Sequence, residues 1–471
     1  MPEKLPVNDV VVLLPGILGS VLQRDGRDVW ALSKGALFRG LITFGRSVSS
    51  LELSGDDVDN DQGGDLGDGV RATRLMPDAH IIPGFWKIDG YTKIKDRMFE
   101  QFDFTDGFNW FDFPYDWRRD NRVAAALLAE HAPKWLRDFR TASGKPDAKL
   151  VLVGHSMGGL VARHYLEVLE GWNDTRALIT FGTPYRGSLN ALDFMANGFK
   201  KGVGPFKLDL SNMLQSFPSV HQLLPVYPCV DDGGGTLVKI GDANGLPAGV
   251  DQAKVAAAMA FHDDIAKAVD HNGGYGRYQI TPVAGIFQPT RQSAEVRNGE
   301  VTIKFDLDGK DAGGDGTVPR VSATPRELSD DGREVYATES HASLQNVDAV
   351  LVQLAGLLTW ESLAAYKGSP ADGFKLEVTE VLEPSAPIDV RVSTAAPVLN
   401  IAVVLENLDT DERFEQVGKL VDGTASVTMP PVAPGLYRVS ARETDGVGVK
   451  PIHDLVVVAN DPVAEQIIDT A

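Results

Sequence analysis

Ser156 stands in Gly154-His155-Ser156-Met157-Gly158-Gly159, between the apolar run Lys149–Val153 (KLVLV) and the segment LVARHYLE. A serine hydroxyl attacks a carbonyl only if a base removes its proton and nearby donors stabilise the oxyanion that forms. A sharp turn from strand to helix serves both needs, because it lifts Oγ above the sheet and aims it at unpaired helix N–H groups. The flanking glycines let strand and helix approach without Cβ clashes. The spacing therefore predicts a nucleophile elbow rather than an incidental serine in a glycine-rich turn.

The base and the acid that orients it are expected later in the chain, in the order serine, acid, histidine. Of the nine histidines, His341 in Glu339-Ser340-His341-Ala342 fits best, in a loop after the strand-like EVYAT and ahead of an apolar helical stretch. His155 occupies the variable position of the elbow, and His453 falls in the β-rich C-terminal part. Asp315, in the Gly313–Pro319 segment GGDGTVP, is the expected acid, with Asp311 and Asp242 as alternatives. Such an acid holds one histidine tautomer and stabilises the imidazolium formed during attack. The oxyanion donors are expected to be the backbone N–H of Met157 and one from Pro15-Gly16-Ile17-Leu18-Gly19-Ser20, with Ile17 first and Leu18 next. This chemistry calls for no metal and no organic cofactor.

Several elements must position these residues. Val10–Leu14, Lys149–Val153 and Ala177–Phe181 read as short buried strands, and ITPVAGIF (280–287) as another. Helical spacing appears at 121–140, with an expected interruption at Pro133, at 158–169, and at 346–366. Strands alternating with helices imply βαβ units and a mainly parallel sheet, an α/β fold. Residues 190–235 break the alternation and read either as core packing or as a lid. The Asp- and Gly-rich stretch 46–71 reads as a solvated loop, since no complete calcium-binding pattern ends in a correctly placed Glu. Arg297-Asn298-Gly299-Glu300 predicts a tight hairpin. After Gly368-Ser369-Pro370 the pattern changes to short alternating runs. The chain is thus expected to divide into an α/β unit over 1–368 and an immunoglobulin-like β-sandwich over 374–460.

With 45 Lys plus Arg against 65 Asp plus Glu, the formal net charge is -20. That balance argues against nucleic acid as a partner and against purely electrostatic docking on anionic membranes, while apolar contact with a lipid interface stays open. The single cysteine, Cys229, excludes an intrachain disulfide. No stretch reads as a secretion signal or a membrane span, so the cytoplasm is the expected location.

Together these blocks resemble the lecithin:cholesterol acyltransferase family, which includes lysosomal phospholipase A2. The resemblance runs over roughly residues 8–360, through VVLLPGILGS, Asp28-Val29-Trp30, FDFPYDWRRD (111–120), the elbow, ITFGTPYRGS (179–188), FPSVHQLLP (217–225), GGDGTVP and ESHASL. It implies an α/β-hydrolase fold, a Ser156–Asp315–His341 triad, Ile17 and Met157 as oxyanion donors, and a lid around 190–235. It also implies that Trp30 and Leu18 line the substrate pocket, although a core position serves an aromatic equally well. The cysteines that form disulfides in secreted members are missing, and the C-terminal β-region lies outside the resemblance. The function implied is acyl hydrolysis or acyl transfer on lipid esters, of phospholipase or lipase type, through an acyl-enzyme. Hydrolysis of soluble esters, or a non-catalytic binding role with the β-region as its interaction end, stand as alternatives.

Overall fold

The computed structural model describes residues 4–31, 51–56, 66–78, 90–201, 208–247, 249–273, 277–329, 334–358, 374–379, 381–394, 396–408, 410, 412–446, 449 and 451–459. Its central sheet has six strands: β1 (Val10–Leu14), β2 (Trp110–Asp112), β3 (Leu150–His155), β4 (Thr175–Phe181), β5 (Gln279–Gly285) and β6 (Val335–Ala337). Their order is β2-β1-β3-β4-β5-β6, and every pairing is parallel. Continuous apolar strands suit this arrangement, since helices cover both faces of a parallel sheet. All five residues of β1 are fully buried.

The chain leaves β1 toward β2 on one side and then crosses to β3 on the other. The loops that follow β1 and β3 therefore diverge and leave a crevice at the carboxyl ends of these strands, the usual ligand position in open α/β sheets. The helices are α1 (Thr92–Gln101), α2 (Asn121–Ser143), α3 (Met157–Glu167), α4 (Leu189–Asn197), α5 (Ser211–Ser216), α6 (Pro218–His221), α7 (Gln252–His271) and α8 (Asp348–Leu358). In α2, Asp120 caps the start by accepting from the Arg122 amide, and Gly144 ends the helix in a left-handed conformation. Pro133 does not interrupt it. A proline inside a helix costs about 3 kcal/mol or more, and the buried stripe of Val123, Ala124, Leu128, Ala132, Leu136 and Phe139 offsets that cost.

Many of the described residues of 190–235 pack into the core, while 233–235 are exposed. Leu192, Met195, Leu214, Phe217, Val220 and Leu224 are buried, and Ser219 Oγ donates to the Trp117 carbonyl at 2.6 Å. Residues 202–207 lie outside the described residues. The Asn-Gly hairpin forms between Ser293–Arg297 and Glu300–Lys304, with Asn298 and Gly299 both at positive φ. The closing helix is described only as far as Leu358, so 359–366 fall outside. Of the stretch 46–71, read as a solvated loop, 46–50 and 57–65 lie outside the described residues, and 51–56 and 66–71 mix exposed with buried positions. Leu51 is buried and the Asp56 carboxylate has no exposure, because both Asp56 and Asp68 face buried guanidinium groups.

The C-terminal residues form two sheets around a second apolar core. One has three antiparallel strands, Phe374–Val378, Ile388–Thr394 and Thr424–Met429. The other orders Val381–Leu382, Ile452–Val458, Gly435–Glu443, Asn400–Asn407 and Arg413–Lys419, antiparallel except for the first pair. Alternating burial along Ile388–Thr394 sends Ile388, Val390 and Val392 inward to meet Ile401, Val403 and Val439. Tyr437 is fully buried, and its hydroxyl donates to the Ala433 carbonyl at 2.8 Å, the tyrosine-corner arrangement of immunoglobulin-like sandwiches. No helix among the described residues is long and apolar enough to cross a membrane.

Three buried histidines give the α/β part a built-in acid sensitivity. His164 stacks on Phe261, and burial together with the Arg122 guanidinium holds its pKa down to about 4. Burial also lowers His221 and His262. As pH falls below about 6.5, the unfolded chain takes up protons that these folded rings refuse, so stability drops until the folded pKa is passed. For His164 alone the loss between pH 8 and pH 5 is about 2 kcal/mol. Urea unfolding at the two pH values checks this: His164→Gln is expected to shrink the difference by about that amount.

Candidate active site

Ser156 sits between β3 and α3 with φ 51° and ψ −124°, a conformation that costs a non-glycine residue about 1–3 kcal/mol. Its main chain is held on both sides. The Ser156 amide donates to the Phe181 carbonyl at 2.8 Å, and Thr183 Oγ1 donates to the Ser156 carbonyl at 2.9 Å. The glycines of the elbow have no room for side chains. A Cβ on Gly154 would lie 2.8 Å from Gly159 Cα, and one on Gly158 would lie 2.5 Å from the Pro15 carbonyl oxygen.

His341 opens a short 3-10 turn, His341–Asn346, shortly after β6, and Asp315 lies in the loop beyond β5. The two meet through main chain and side chain alike: the His341 amide donates to the Asp315 carbonyl at 2.8 Å, and Nδ1 lies 2.7 Å from Asp315 Oδ2. Nε2 lies 2.9 Å from Ser156 Oγ. Asp315 Oδ1 accepts the amides of Thr317 and Val318, which fixes the carboxylate and leaves Oδ2 for the ring. With the proton on Nδ1 directed at the carboxylate, the Nε2 lone pair faces the serine hydroxyl. Ser156, Asp315 and His341 are 6%, 1% and 4% exposed, so the chain of hydrogen bonds runs largely out of water.

Two further glycines make this meeting possible. A Cβ on Gly182 would lie 2.8 Å from both Asp315 Oδ2 and His341 Nδ1, and one on Gly285 would overlap the Asp315 Cβ. The alternatives to Asp315 are occupied or elsewhere. Asp311 accepts from Gln292 and the Gly313 amide, and Asp242 is exposed in a short 3-10 turn; among the histidines, His453 pairs with Ser440 in the sandwich, away from the serine.

The loop after β1 faces the elbow across the crevice, where a Cβ on Gly16 would lie 2.8 Å from Ser156 Cβ. Among the described residues, the amides of Ile17, Leu18 and Met157 have no acceptor. Leu18 is held at φ 65°. Several donors pin this loop from behind. The Trp30 indole donates to the Leu18 carbonyl at 3.1 Å, Tyr115 Oη to Pro15 at 2.8 Å, and Trp117 Nε1 to Ser20 at 3.0 Å. Trp30 is 1% exposed and packs edge-on against Trp117, so the structure places it as a brace of the loop. The FDFPYDWRRD block has the same task. Asp116 pairs with Arg118, and Arg119 reaches Asp56.

The sequence reading missed Tyr91, which no motif surrounds, and set His155 aside as a variable position. The Tyr91 hydroxyl lies 2.7 Å from the Gly16 amide and 2.9 Å from His155 Nδ1, while His155 Nε2 lies 3.1 Å from the His341 carbonyl. Only the pairing of a polar elbow position with a distant tyrosine would have signalled them.

The tight fit around Gly182 yields a test. Gly182→Ala places a methyl group against the Asp315–His341 pair at φ 56°. It is expected to lower stability by about 1–3 kcal/mol and to cut esterase turnover by about 100-fold. Urea unfolding and steady-state kinetics on a chromogenic ester measure both.

The family model described as lecithin:cholesterol acyltransferase matches residues 86–245, a segment that holds Ser156 and Met157 but neither Asp315 nor His341. Among solved structures the chain is similar to the Tle4–Tli4 complex, at 16% identity and a TM-score of 0.47, covering 76% of this chain and 99% of that one. It is also similar to a Bacillus licheniformis lipase in mature form, at 13% identity and a TM-score of 0.38, covering 76% and 95%. A third is phospholipase PlaB from Legionella pneumophila in complex with thio-NAD, at 9% identity and a TM-score of 0.32, covering 79% and 86%. No curated protein sequence matches the chain significantly. The fold assignment rests on the parallel sheet order and the elbow rather than on these distant likenesses. That sheet and the elbow give the chain an α/β-hydrolase fold, and over 86–245 it is similar to the lecithin:cholesterol acyltransferase family.

Proposed function

We propose that this protein is a serine acyl hydrolase or acyltransferase acting on lipid esters. The observation that carries the reading is the continuous Ser156–His341–Asp315 hydrogen-bond chain at the switch point, facing backbone amides that have no acceptor among the described residues. In the first step His341 Nε2 takes the Ser156 proton as Oγ bonds to the ester carbonyl carbon, and Asp315 steadies the imidazolium. The amides of Ile17 and Met157 receive the oxyanion, each contributing about 2.7–4 kcal/mol to transition-state stabilisation. The tetrahedral intermediate collapses, the alcohol leaves with the proton from His341, and Ser156 carries the acyl group. Water or a second alcohol then attacks by the reverse sequence. The likeness to the acyltransferase family, together with the resemblance of the surrounding blocks, supports a lipid acyl ester as substrate.

Ser156→Ala is expected to lower ester turnover by about six orders of magnitude and to abolish labelling by a fluorophosphonate probe. Turnover close to that of the wild type in a purified sample would overturn the serine mechanism. Mass spectrometry of phospholipid vesicles incubated with wild type and Ser156→Ala separates the two outcomes of the second step. Free fatty acid as sole product means hydrolysis, and a new ester means transfer.

A further inference from the structure

Tyr91 and His155 lie outside the three-residue chain, yet they join both halves of the site. The direction of each hydrogen bond follows from the groups involved. The Gly16 amide can only donate, so it donates to Tyr91 Oη at 2.7 Å. The His341 carbonyl can only accept, so His155 carries its proton on Nε2 and donates across 3.1 Å. His155 Nδ1 is then bare and accepts the Tyr91 hydroxyl proton at 2.9 Å. The result is a single line of three bonds from the amide preceding Ile17 to the main chain of His341 itself.

The surroundings leave this line little freedom. Tyr91 is 2% exposed and its own amide donates to the Met76 carbonyl. The Gly90 carbonyl just before it accepts Gln345 Nε2 at 3.0 Å and Asn346 Nδ2 at 3.3 Å, both from the turn that His341 opens. A Cβ on Gly19 would lie 2.8 Å from Tyr91 Oη, and one on Gly16 would lie 3.2 Å from His155 Nδ1. The glycines of the PGILGS loop thus make room for the strut.

We propose that Tyr91 and His155 are positioning residues that lock the oxyanion loop to the histidine loop, so that oxyanion stabilisation and proton transfer act on one acyl carbon. The inference rests on the acyl-transfer reading above. Fixing the Gly16 amide fixes the turn that holds the Ile17 amide, which has no acceptor among the described residues. Fixing the His341 carbonyl fixes the ring that receives the serine proton. Neither residue touches the reacting atoms, so losing the strut acts on turnover rather than on substrate binding.

Tyr91→Phe removes one oxygen and keeps the ring that packs edge-on against His155. For a short p-nitrophenyl ester, kcat is expected to fall about 100-fold with KM within about threefold of the wild type, and fluorophosphonate inactivation to slow in parallel. His155→Phe should show the same split. Because both residues belong to one strut, the double variant should fall little further than either single one. The strut is overturned if Tyr91→Phe keeps kcat within about twofold of wild type, or if the losses in the double variant simply multiply. It is also overturned if KM, rather than kcat, carries the change. Should Tyr91→Phe fail to fold, His155→Phe against wild type decides on the same criteria. A wild-type protein that hydrolyses no ester and takes no fluorophosphonate would overturn the acyl-transfer reading itself. An active, labelled wild type with unaffected strut variants would overturn the strut alone.

Discussion

At the carboxyl end of β1 the Pro15 carbonyl comes so near α3 that a Cβ on Gly158 would lie 2.5 Å from it. This close approach of two backbones brings the amides of the PGILGS loop and the first amides of α3 to one crevice. It requires glycine at 158, a strained Ser156 at 156, and a sheet whose order reverses between β1 and β3. The same constraint recurs on the far side of the nucleophile. Gly182 directly follows β4 and Gly285 ends β5, so that Asp315 and His341 can be drawn against the sheet without overlap. Small residues are therefore placed wherever backbone, acid and base must share a volume too tight for a side chain.

Strain at the elbow and in the loop at Leu18 persists only because the surroundings over-determine it. Much of that support is ionic and buried. Arg118 reaches Asp116 and Asp68, and Arg119 reaches Asp56, which ties the chain before α2 to segments at 51–56 and 66–68. A second buried network holds the far half of α3. Arg163 bonds to Glu167 at 2.8 Å and to Tyr278 at 2.6 Å, and also pairs with Glu327. Desolvating such groups is expensive, and removing one partner leaves the other charge without compensation. Geometry rather than net stability is what these networks supply: they hold α3 and the oxyanion loop in register while the apolar core supplies the driving force for folding.

Hydrogen-bond direction does comparable work around the nucleophile. Asp315 uses one oxygen for two backbone amides and the other for His341, which sets the tautomer of the base. The His155–Tyr91 line is set in the same manner, because its two ends are a backbone N–H and a backbone carbonyl that allow only one polarity. Two imidazoles 5.2 Å apart thus take opposite tautomers, one facing the serine and one facing away from it.

The features legible in the sequence were local ones. Apolar runs of five or six residues marked the buried strands, Gly-x-Ser-x-Gly between strand and helix marked the elbow, and Asn-Gly marked the hairpin, because each follows from the conformational limits of a few adjacent residues. Alternating apolar runs after residue 374 marked the two-sheet region for the same reason. Where non-local packing decides, local reading fell short. Pro133 stays within a helix because tertiary burial outweighs its lost hydrogen bond, and the acidic residues Asp56 and Asp68 are drawn inward by arginines fifty or more residues away. The partnership of Tyr91 with His155 has no local pattern at all, since it depends on a hydroxyl 64 residues away in sequence arriving within 2.9 Å. The sequence by itself determined which residue types were available for acyl chemistry and which backbone turn would present the serine. Only the tertiary structure decided which acid, which amides and which supporting hydrogen bonds surround it, because those choices are distances between chain segments that no local propensity encodes.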